Sequence, residues 1–390
     1  MRRALLQQLI LLVAVLLATL GCEPQAPAPV ATDAPRLSVA ETLGAQPAGD
    51  FARAMEPRAF VFPADHGPHP AFKTEWWYYT GNLQSDQGRR FGYQLTFFRI
   101  ALRSEPVPRA SDWAANQVYM AHFALTDPAA ERFHHFERFS RGALGLAGAV
   151  ATPFRVWLED WSAAGSKDAS LPMHLQAAAG EIAINLRLES AKPVVLQGEQ
   201  GLSQKSAEPG NASYYYSLTR MPTTGEIRLG AETFTVAGAS WLDREWSTSA
   251  LGENQRGWDW FSLQFDDGRE LMYYQLRLED GSADPLSSGV LVARDGRSQR
   301  LGSEDLRIEV LDTWQSPHSG GRYPSRWRLQ VPTLELDLEI VPLLVDQELQ
   351  ATVRYWEGAV FLKGTSREQT IRGQGYVELT GYDKTRRSGE

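Results

Sequence analysis

Along most of the chain after residue 60, hydrophobic and polar positions alternate with a period of two. The alternation is clearest over 91–97, 182–188 and 334–340. A period of two places every second side chain on the same face of an extended chain, so each stretch indicates a strand with one buried face. Turn signals that contain glycine, such as 266–268, separate these stretches. Many short strands joined by such turns predict an all-β fold, either a sandwich or a barrel.

The N-terminal segment 1–21 has a different pattern, which is typical of an export signal. Two arginines precede an apolar run over 9–20, and that run is shorter than the roughly 20 residues that span a bilayer. The run ends just before Cys22, the only cysteine in the chain. We expect Cys22 to be acylated and to become the mature N-terminus; an ordinary secretory signal that leaves a spare thiol is the alternative. Glu23 favours an outer-membrane lipoprotein that faces the periplasm.

Composition separates a tether from a folded region. The segment 22–59 is rich in proline and alanine and poor in aromatic residues, so we expect a disordered tether. The remaining chain is long enough for two domains. A net charge of −8 argues against nucleic acid and against electrostatic binding to anionic lipid, which leaves the lipid anchor as the expected membrane contact. We expect no metal and no cofactor.

Eight motifs carry a resemblance to a known family. In chain order they are EWWYYTGNL (75–83), GYQLTFFR (92–99), YMAHFAL (119–125), ERFSRGALGLAGA (137–149), EPGNASYYYSLTR (208–220), SWLDREWS (240–247), GWDWFSLQFDDGRELMYYQLR (257–277) and YWEGAV (355–360).

With these motifs the chain resembles the AttH and carotenoid 1,2-hydratase-like proteins (hydroxyneurosporene synthase-like, also called predicted secreted hydrolases) over about 60–383. The resemblance implies two tandem lipocalin-like antiparallel β-barrels packed side by side, which we place at 60–238 and 239–385. It implies hydratase activity or guided polyene cyclisation in some members. It implies ABC-type export components as partners in others. The "hydrolase" label gains no support from the sequence, because no Gly-x-Ser-x-Gly motif is present.

The stretch 241–246 holds the richest candidate chemistry. In an extended chain Trp241, Asp243 and Glu245 share one face. Carboxyl groups among tryptophans are poorly solvated, which raises their pKa and suits a general acid, and the ring faces can stabilise a carbocation. Arg244 is a third candidate. The alternative is that Arg244 forms a fork-like ion pair that joins the two domains, since arginine stays protonated and the hydratase branch carries histidine at this position.

Eight further residues are candidates for ligand binding, although each also suits ordinary packing in a sheet or barrel. They are Trp246, Trp258, Asp259, Glu75, Trp77, Tyr215, His122 and Tyr274.

Three functions follow from these observations. The first is an envelope lipoprotein that binds a hydrophobic or amphipathic small molecule in a barrel, beside an ABC-type export system. The second is a hydro-lyase or isomerase that acts on an apolar polyene, with Asp243 and Glu245 as acids. The third is a scaffold with filled barrels. A carboxyl group that faces a cavity would favour the enzyme.

Overall fold

The described part of the chain is almost entirely β-structure, which confirms the predicted all-β class. The structure, a computed structural model, describes residues 37–38, 49–105, 110–166, 169–249, 251–252 and 254–382. The predicted signal 1–21 and the predicted lipidation site Cys22 lie outside these residues. Within the described ranges no helix has the length and apolarity needed to cross a bilayer.

Within these ranges two short 3-10 helices, Ala64–His66 and Pro332–Leu334, accompany the strands. The strands are β1 (Leu37–Ser38), β2 (Thr74–Ser85), β3 (Arg90–Ala101), β4 (Gln117–Asp127), β5 (Arg132–Arg141), β6 (Ala147–Ala151), β7 (Phe154–Leu158), β8 (Trp161–Ala164), β9 (Met173–Ala179), β10 (Ile182–Leu188), β11 (Val195–Leu196), β12 (Leu202–Gln204), β13 (Ala212–Leu229), β14 (Glu232–Ser247), β15 (Gln255–Phe265), β16 (Glu270–Leu278), β17 (Ser288–Val292), β18 (Ser298–Leu301), β19 (Arg307–Gln315), β20 (Arg322–Val331), β21 (Leu336–Pro342), β22 (Glu348–Gln350), β23 (Val353–Ser366) and β24 (Gln369–Leu379).

The strands form two sheets. The first has the order β5-β4-β3-β2-β14-β13-β10-β9-β8-β7-β6, with β11 and β12 paired to β13. It curls until β7 touches β3, β4 and β5, which gives a nearly closed barrel. The second has the order β18-β17-β16-β15-β24-β23-β21-β20-β19, with β22 and β1 paired to β23. The pairing is antiparallel except for β1, which is parallel to β23.

Each sheet folds around its own apolar cluster. In the first sheet the rings of Phe123 on β4 and Trp161 on β8 lie 5.7 Å apart, edge to face. In the second, Phe261 on β15 meets Trp327 on β20 at 5.9 Å. These strands are not neighbours in their sheets, so the contacts form across the inside of each curved sheet. Rings that interlock in this way leave the inside of each sheet filled.

The central strands are buried on both faces, because the outer faces of the two sheets pack against each other. Trp77 and Tyr79 of β2 belong to the core of the first sheet. Tyr78, between them in the chain, belongs instead to a cluster that includes Trp260 and Tyr376 of the second sheet. The alternation along β2 therefore separates two buried environments, not a core and a solvent face.

Buried polar groups join the two sheets. The Asn82 side chain donates a hydrogen bond of 2.9 Å to the Gly375 carbonyl. The Gln264 side chain donates to the carbonyls of Thr219 and Ser240 at 2.9 and 3.0 Å. Breaking such bonds would leave desolvated polar atoms without partners, so the bonds fix how one sheet sits on the other.

The chain changes from one sheet to the other between Ser247 and Gln255. Strand β14 pairs along its length with β13 and β2, so it belongs as a whole to the first sheet, and the predicted domain border at 238/239 falls inside it. The folded part also begins earlier than residue 60. Ala54, within the predicted tether, is fully buried, and the Ala52 carbonyl accepts a hydrogen bond from Thr248.

A close approach between the sheets gives a test of this packing. A Cβ added at Gly92 would overlap the Cβ of Ala359 on the opposite sheet. We expect Gly92→Ala to lower the free energy of unfolding by about 1–3 kcal/mol, as overpacking does, and Ala359→Gly in the same chain to restore part of it. Gly302→Ala, where an added Cβ meets only ordinary contacts, is the control and should change stability by less than about 0.5 kcal/mol. Urea denaturation measures all three; equal losses at both glycines would contradict the packing.

Candidate functional site

A cavity of about 70 Å³ lies between the two sheets. We call it the inter-sheet chamber. Its aromatic wall comes from both sheets and includes Trp76, Tyr78, Tyr215, Trp258, Trp260 and Tyr274. Four ionisable side chains also line it, namely Lys205, Asp243, Glu245 and Glu378. Apolar side chains fill the barrel interior, so the chamber is not inside a barrel. This differs from the ligand site inside a barrel that the sequence predicts.

The register of β14 explains how the carboxyl groups reach the chamber. Asp243 pairs with Tyr78 of β2, and Glu245 pairs with Trp76. Residues paired in this way project from the same face of a sheet. The structure therefore places Asp243 and Glu245 on the face that looks at the second sheet, together with Tyr215 of β13, as the alternation predicts.

Asp243 is a buried carboxyl group surrounded by donors. Its oxygens accept hydrogen bonds from the Ser217 hydroxyl at 2.5 Å, the Trp241 indole at 2.7 Å and the Tyr215 hydroxyl. Burial raises the pKa of Asp243 to about 7; the three donors oppose this shift, and the nearby charge of Glu245 adds to it. Asp243 therefore holds a proton for a large part of the time at neutral pH.

A second carboxyl site lies opposite, on β23 and β24, and the sequence analysis missed it. Glu357 and Glu378 are direct partners across these strands. The Trp258 indole donates to Glu378 at 2.6 Å, and the Tyr78 hydroxyl donates to Glu357 at 2.8 Å. Burial raises the pKa of Glu378 to about 7, and burial together with the charge of Glu378 raises the pKa of Glu357 well above its ordinary value. The pair therefore retains protons at neutral pH.

Lys205 is the cation of the chamber. Its ammonium group lies 3.2 Å from a carboxylate oxygen of Glu245, which also accepts a hydrogen bond from Ser213. The same ammonium lies 4.3 Å from the ring centroid of Tyr274 and 5.2 Å from that of Tyr215. Burial alone would lower the pKa of Lys205, but the charges of Glu245, Tyr274 and Asp243 and the hydrogen bond to Glu245 together outweigh burial and raise it. Lys205 and Glu245 thus form an ion pair within the aromatic wall.

Arg244 lies on the other face of β14, away from the chamber, which corrects its assignment to the catalytic group. Its guanidinium and that of Arg99 both bind the carboxylate of Glu75, and all three side chains are fully buried. The guanidinium also lies 3.9 Å from the ring centroid of Trp77. Burial alone would raise the pKa of Glu75, but Arg244 and Arg99 hold it well below its ordinary value. Arg244 therefore braces the first sheet and does not join the two sheets.

Four further candidate residues also lie outside the chamber. Most of them do so because strand alternation turns their side chains to the opposite face of the strand. Trp246 shares the face of Arg244 and stacks on His69 at 3.6 Å. Glu75 and Trp77 lie in that same cluster. Asp259 projects from the face of β15 opposite Trp258 and pairs with Arg277 at 2.9 Å. These residues brace their own sheet from within, while Tyr215, Trp258 and Tyr274 line the chamber as candidates for ligand contact.

His122 is close to the chamber but does not line it. It reaches the chamber through the hydroxyl of Tyr355, which does line it. Neither Tyr355 nor Lys205 is among the site residues expected from the sequence. Glu378 lies in an alternating stretch, and its position there predicts a side chain that faces solvent. One signal was present: the stretch 355–358 repeats the aromatic pattern of 75–81 before a glycine. The structure places both stretches on strands at the interface of the two sheets.

Comparisons with known proteins assign the family. The chain belongs to the AttH-like family, whose model matches residues 53–382. A candidate AttH protein from Nitrosomonas europaea, solved as a crystal structure, is 35% identical; the alignment covers 86% of this chain and 100% of that one, with a TM-score of 0.77. A comparison with curated protein sequences gives no significant match. The family resemblance read from the motifs is thereby confirmed.

More distant structures share the fold. Kievitone hydratase from Nectria haematococca is 14% identical with a TM-score of 0.64, and the alignment covers 85% of this chain and 96% of that one. CghA is 13% identical with a TM-score of 0.50, over 86% of this chain and 97% of its own. At these identities the likeness concerns the architecture. The predicted fold of lipocalin-like barrels is confirmed.

The raised pKa of Asp243 has a consequence for stability. Between about pH 4 and 7 the folded chain binds this proton and the unfolded chain does not, so the free energy of unfolding falls as the pH rises through this window. We expect Asp243→Asn to make that slope shallower by about 1.4 kcal/mol per pH unit, which corresponds to one proton. Urea denaturation between pH 4.5 and 8 measures it. The exposed Glu309→Gln is the control, and an unchanged slope in Asp243→Asn would contradict the raised pKa.

The Arg244 cluster gives a second prediction. We expect Arg244→Met to lower the free energy of unfolding by about 3–5 kcal/mol, because it leaves the buried Glu75 with only one of its two guanidinium partners. Arg326→Met, which breaks the more exposed pair with Glu339, is the matched control and should cost about 0–1 kcal/mol. Denaturant titration of both variants measures the difference. Similar losses would show that Arg244 does not brace the sheet.

Proposed function

We propose that the chain is an enzyme of the hydratase type, which adds water to a carbon–carbon double bond of an apolar molecule in the inter-sheet chamber. One observation carries the proposal: a carboxyl group with a pKa of about 7, Asp243, faces a cavity walled by aromatic rings. Two further facts support it. The chain shares its fold with kievitone hydratase, and its motifs resemble those of the carotenoid 1,2-hydratase-like proteins.

Hydration of an unactivated alkene begins with a proton transfer to carbon. A general acid works best when its pKa lies near the operating pH, because it then carries a proton and is still acidic enough to transfer it. Asp243 meets this condition. When its proton moves to one alkene carbon, the other carbon becomes a carbocation, and Asp243 becomes a carboxylate that three donors already solvate.

The chamber wall suits the cation that follows. Indole and phenol faces attract positive charge through their quadrupole, and this attraction is stronger when water is excluded. The rings of Trp260 and Tyr78 meet edge to face at 5.2 Å, and those of Trp260 and Trp241 at 6.4 Å. Because Lys205 is paired with Glu245, its charge repels the cation less than that of an isolated lysine would.

The size of the chamber limits what it can enclose. About 70 Å³ is far less than the 300–1,000 Å³ of a pocket that encloses a drug-sized ligand, so the chamber encloses only a small group. A longer molecule would therefore place its reacting end in the chamber and the rest outside. A trisubstituted double bond at the end of an isoprenoid chain fits this description, because its protonation gives a tertiary cation.

Binding without conversion is the second candidate, and the mostly aromatic wall favours it as much as catalysis. The same apolar ligand would then be held and carried. We also propose, from the sequence pattern, an exported protein anchored in the cell envelope through Cys22, and, from the family resemblance, ABC-type export components as its partners. Metabolic labelling with an alkyne fatty acid, with Cys22→Ser as the control, tests the anchor.

The proposed activity is tested with isoprenoid and prenylated aromatic alkenes in isotopically labelled water. We expect the full-length protein to form an alcohol that carries the label, and Asp243→Asn to lower the rate about 100- to 10,000-fold while binding, followed by tryptophan fluorescence, persists. Glu309→Gln, an exposed carboxamide variant, should keep the wild-type rate. Binding without any labelled product in the wild type would favour carriage. Equal rates in wild type and Asp243→Asn would exclude Asp243 as the acid.

A further inference from the structure

A chain of three side chains leads from the edge of the sheet interface to the chamber. Glu137 of β5 has a side chain 16% exposed, and one of its carboxylate oxygens lies 3.0 Å from Nε2 of the fully buried His122 of β4. The other ring nitrogen, Nδ1, lies 2.6 Å from the hydroxyl of Tyr355, which belongs to β23 of the second sheet and lines the chamber. The three groups thus make a continuous hydrogen-bonded path.

The protonation states along this path follow from its contacts. Burial alone would raise the pKa of Glu137, but hydrogen bonds from His122 and Thr352 hold it below its ordinary value, so Glu137 is a carboxylate that only accepts. Nε2 of His122 must then carry a proton, and we assign Nδ1 as the acceptor of the Tyr355 hydroxyl. Burial, with the charges of Glu357 and Glu378, raises the pKa of Tyr355 well above its ordinary value, so the phenol keeps its proton at rest.

The chamber needs such a group. Asp243, Glu357 and Glu378 hold protons near neutral pH, and Glu245 is bound to Lys205 and Ser213. Glu245, Glu357 and Glu378 are therefore poor choices for taking a proton from water, and the Asp243 carboxylate that the first step leaves already accepts three hydrogen bonds. Acid and base are assigned where the surroundings of titratable groups push their pKa values apart.

We propose that Tyr355, backed by His122 and Glu137, is the base that takes a proton from the attacking water. The inference rests on the proposed hydratase activity. As the water oxygen bonds to the cationic carbon, one of its O–H bonds breaks and the proton passes to the Tyr355 oxygen. The phenol proton moves to Nδ1 of His122, whose positive charge is paired with Glu137.

The protons balance over one cycle. Asp243 gives one proton to carbon, and water loses one to the Tyr355 path, so the net reaction is alkene plus water to alcohol. His122 then returns its Nδ1 proton through the Tyr355 hydroxyl to chamber water, and Asp243 takes one proton from that water, so His122 and Asp243 both regain their resting states. Tyr355 touches the reacting water and is the catalytic residue; His122 and Glu137 act through it and are positioning residues.

The same contacts also join the sheets, because Glu137 accepts a hydrogen bond from the Thr352 backbone at 3.0 Å. A test must therefore separate chemistry from bracing. The chain offers a matched control in the pair of His66 and Tyr216, where Nδ1 and the hydroxyl also lie 2.6 Å apart, between the 3-10 helix Ala64–His66 and β13 and away from the chamber lining. Tyr216→Phe removes the same kind of hydrogen bond as Tyr355→Phe.

The first measurement needs no substrate. In full-length protein with nitrogen-15-labelled histidine, with His122 assigned by the His122→Gln variant, we expect the His122 signal to show a proton on Nε2 and a hydrogen-bonded, unprotonated Nδ1. Tyr355→Phe should shift Nδ1 towards its unbonded position, and Glu137→Gln should weaken the preference for the Nε2 proton. A proton on Nδ1 in the wild type would overturn the proposal.

The second measurement follows turnover of an isoprenoid alkene in the same variants. We expect Tyr355→Phe and His122→Gln to lower kcat about 100- to 10,000-fold with KM little changed, and Tyr216→Phe to keep wild-type kcat and KM. Full turnover in Tyr355→Phe beside an inactive Asp243→Asn would overturn the base and leave the proposed function standing. A wild type that binds the alkene but does not convert it would overturn the proposed function and the base role with it.

Discussion

The structure depends on the packing of one sheet face against another. Two curved sheets, each already filled on its inside, bury their outer faces together, and this removes Asp243 and Glu357 from water and half-buries Glu378. A carboxylate loses more solvation free energy on burial than the neutral acid does, so these groups keep protons that they would lose in solution. The stability of the interface and the acidity of the chamber therefore have one cause.

Strand β14 shows how one element serves both purposes. Its even-numbered residues Arg244 and Trp246 point into the first sheet, where Glu75 and two guanidinium groups form a charged cluster sealed by aromatic rings. Its odd-numbered residues Asp243 and Glu245 point at the second sheet. The cluster inside is paired and rigid, which holds the backbone of β14 in place, and so fixes the carboxyl groups on its other face.

The chamber is built by both sheets, and so are the two acid–base systems proposed for it. Asp243 comes from the first sheet and its donors Tyr215 and Ser217 lie on the neighbouring strand β13. The Tyr355 path crosses from β23 to β4 and β5. In this chain the proposed arrangement places the reactive volume between the two sheets and leaves the barrels as supports. A ligand site in the mouth of a single barrel, as in ordinary lipocalin-like proteins, is not needed for the function we propose.

The positions of many strands, and the side chains that share a face of each strand, follow from the sequence alone. Alternation over 91–97 and 182–188 predicts the strands there, and over 334–340 it predicts the strand from Leu336 onward, although Pro332–Leu334 forms a 3-10 helix. The motif at 240–247 places Asp243 and Glu245 on a common face, because a period of two depends only on neighbouring residues. Only the tertiary structure decides which face of a strand meets the inside of its own sheet and which face meets the other sheet. Glu378 reads as an outward residue in an alternating strand, and it became a chamber acid only because a second sheet covers that face. His122, Tyr355 and Lys205 meet the chamber through contacts between distant strands, and no spacing along the chain encodes such contacts.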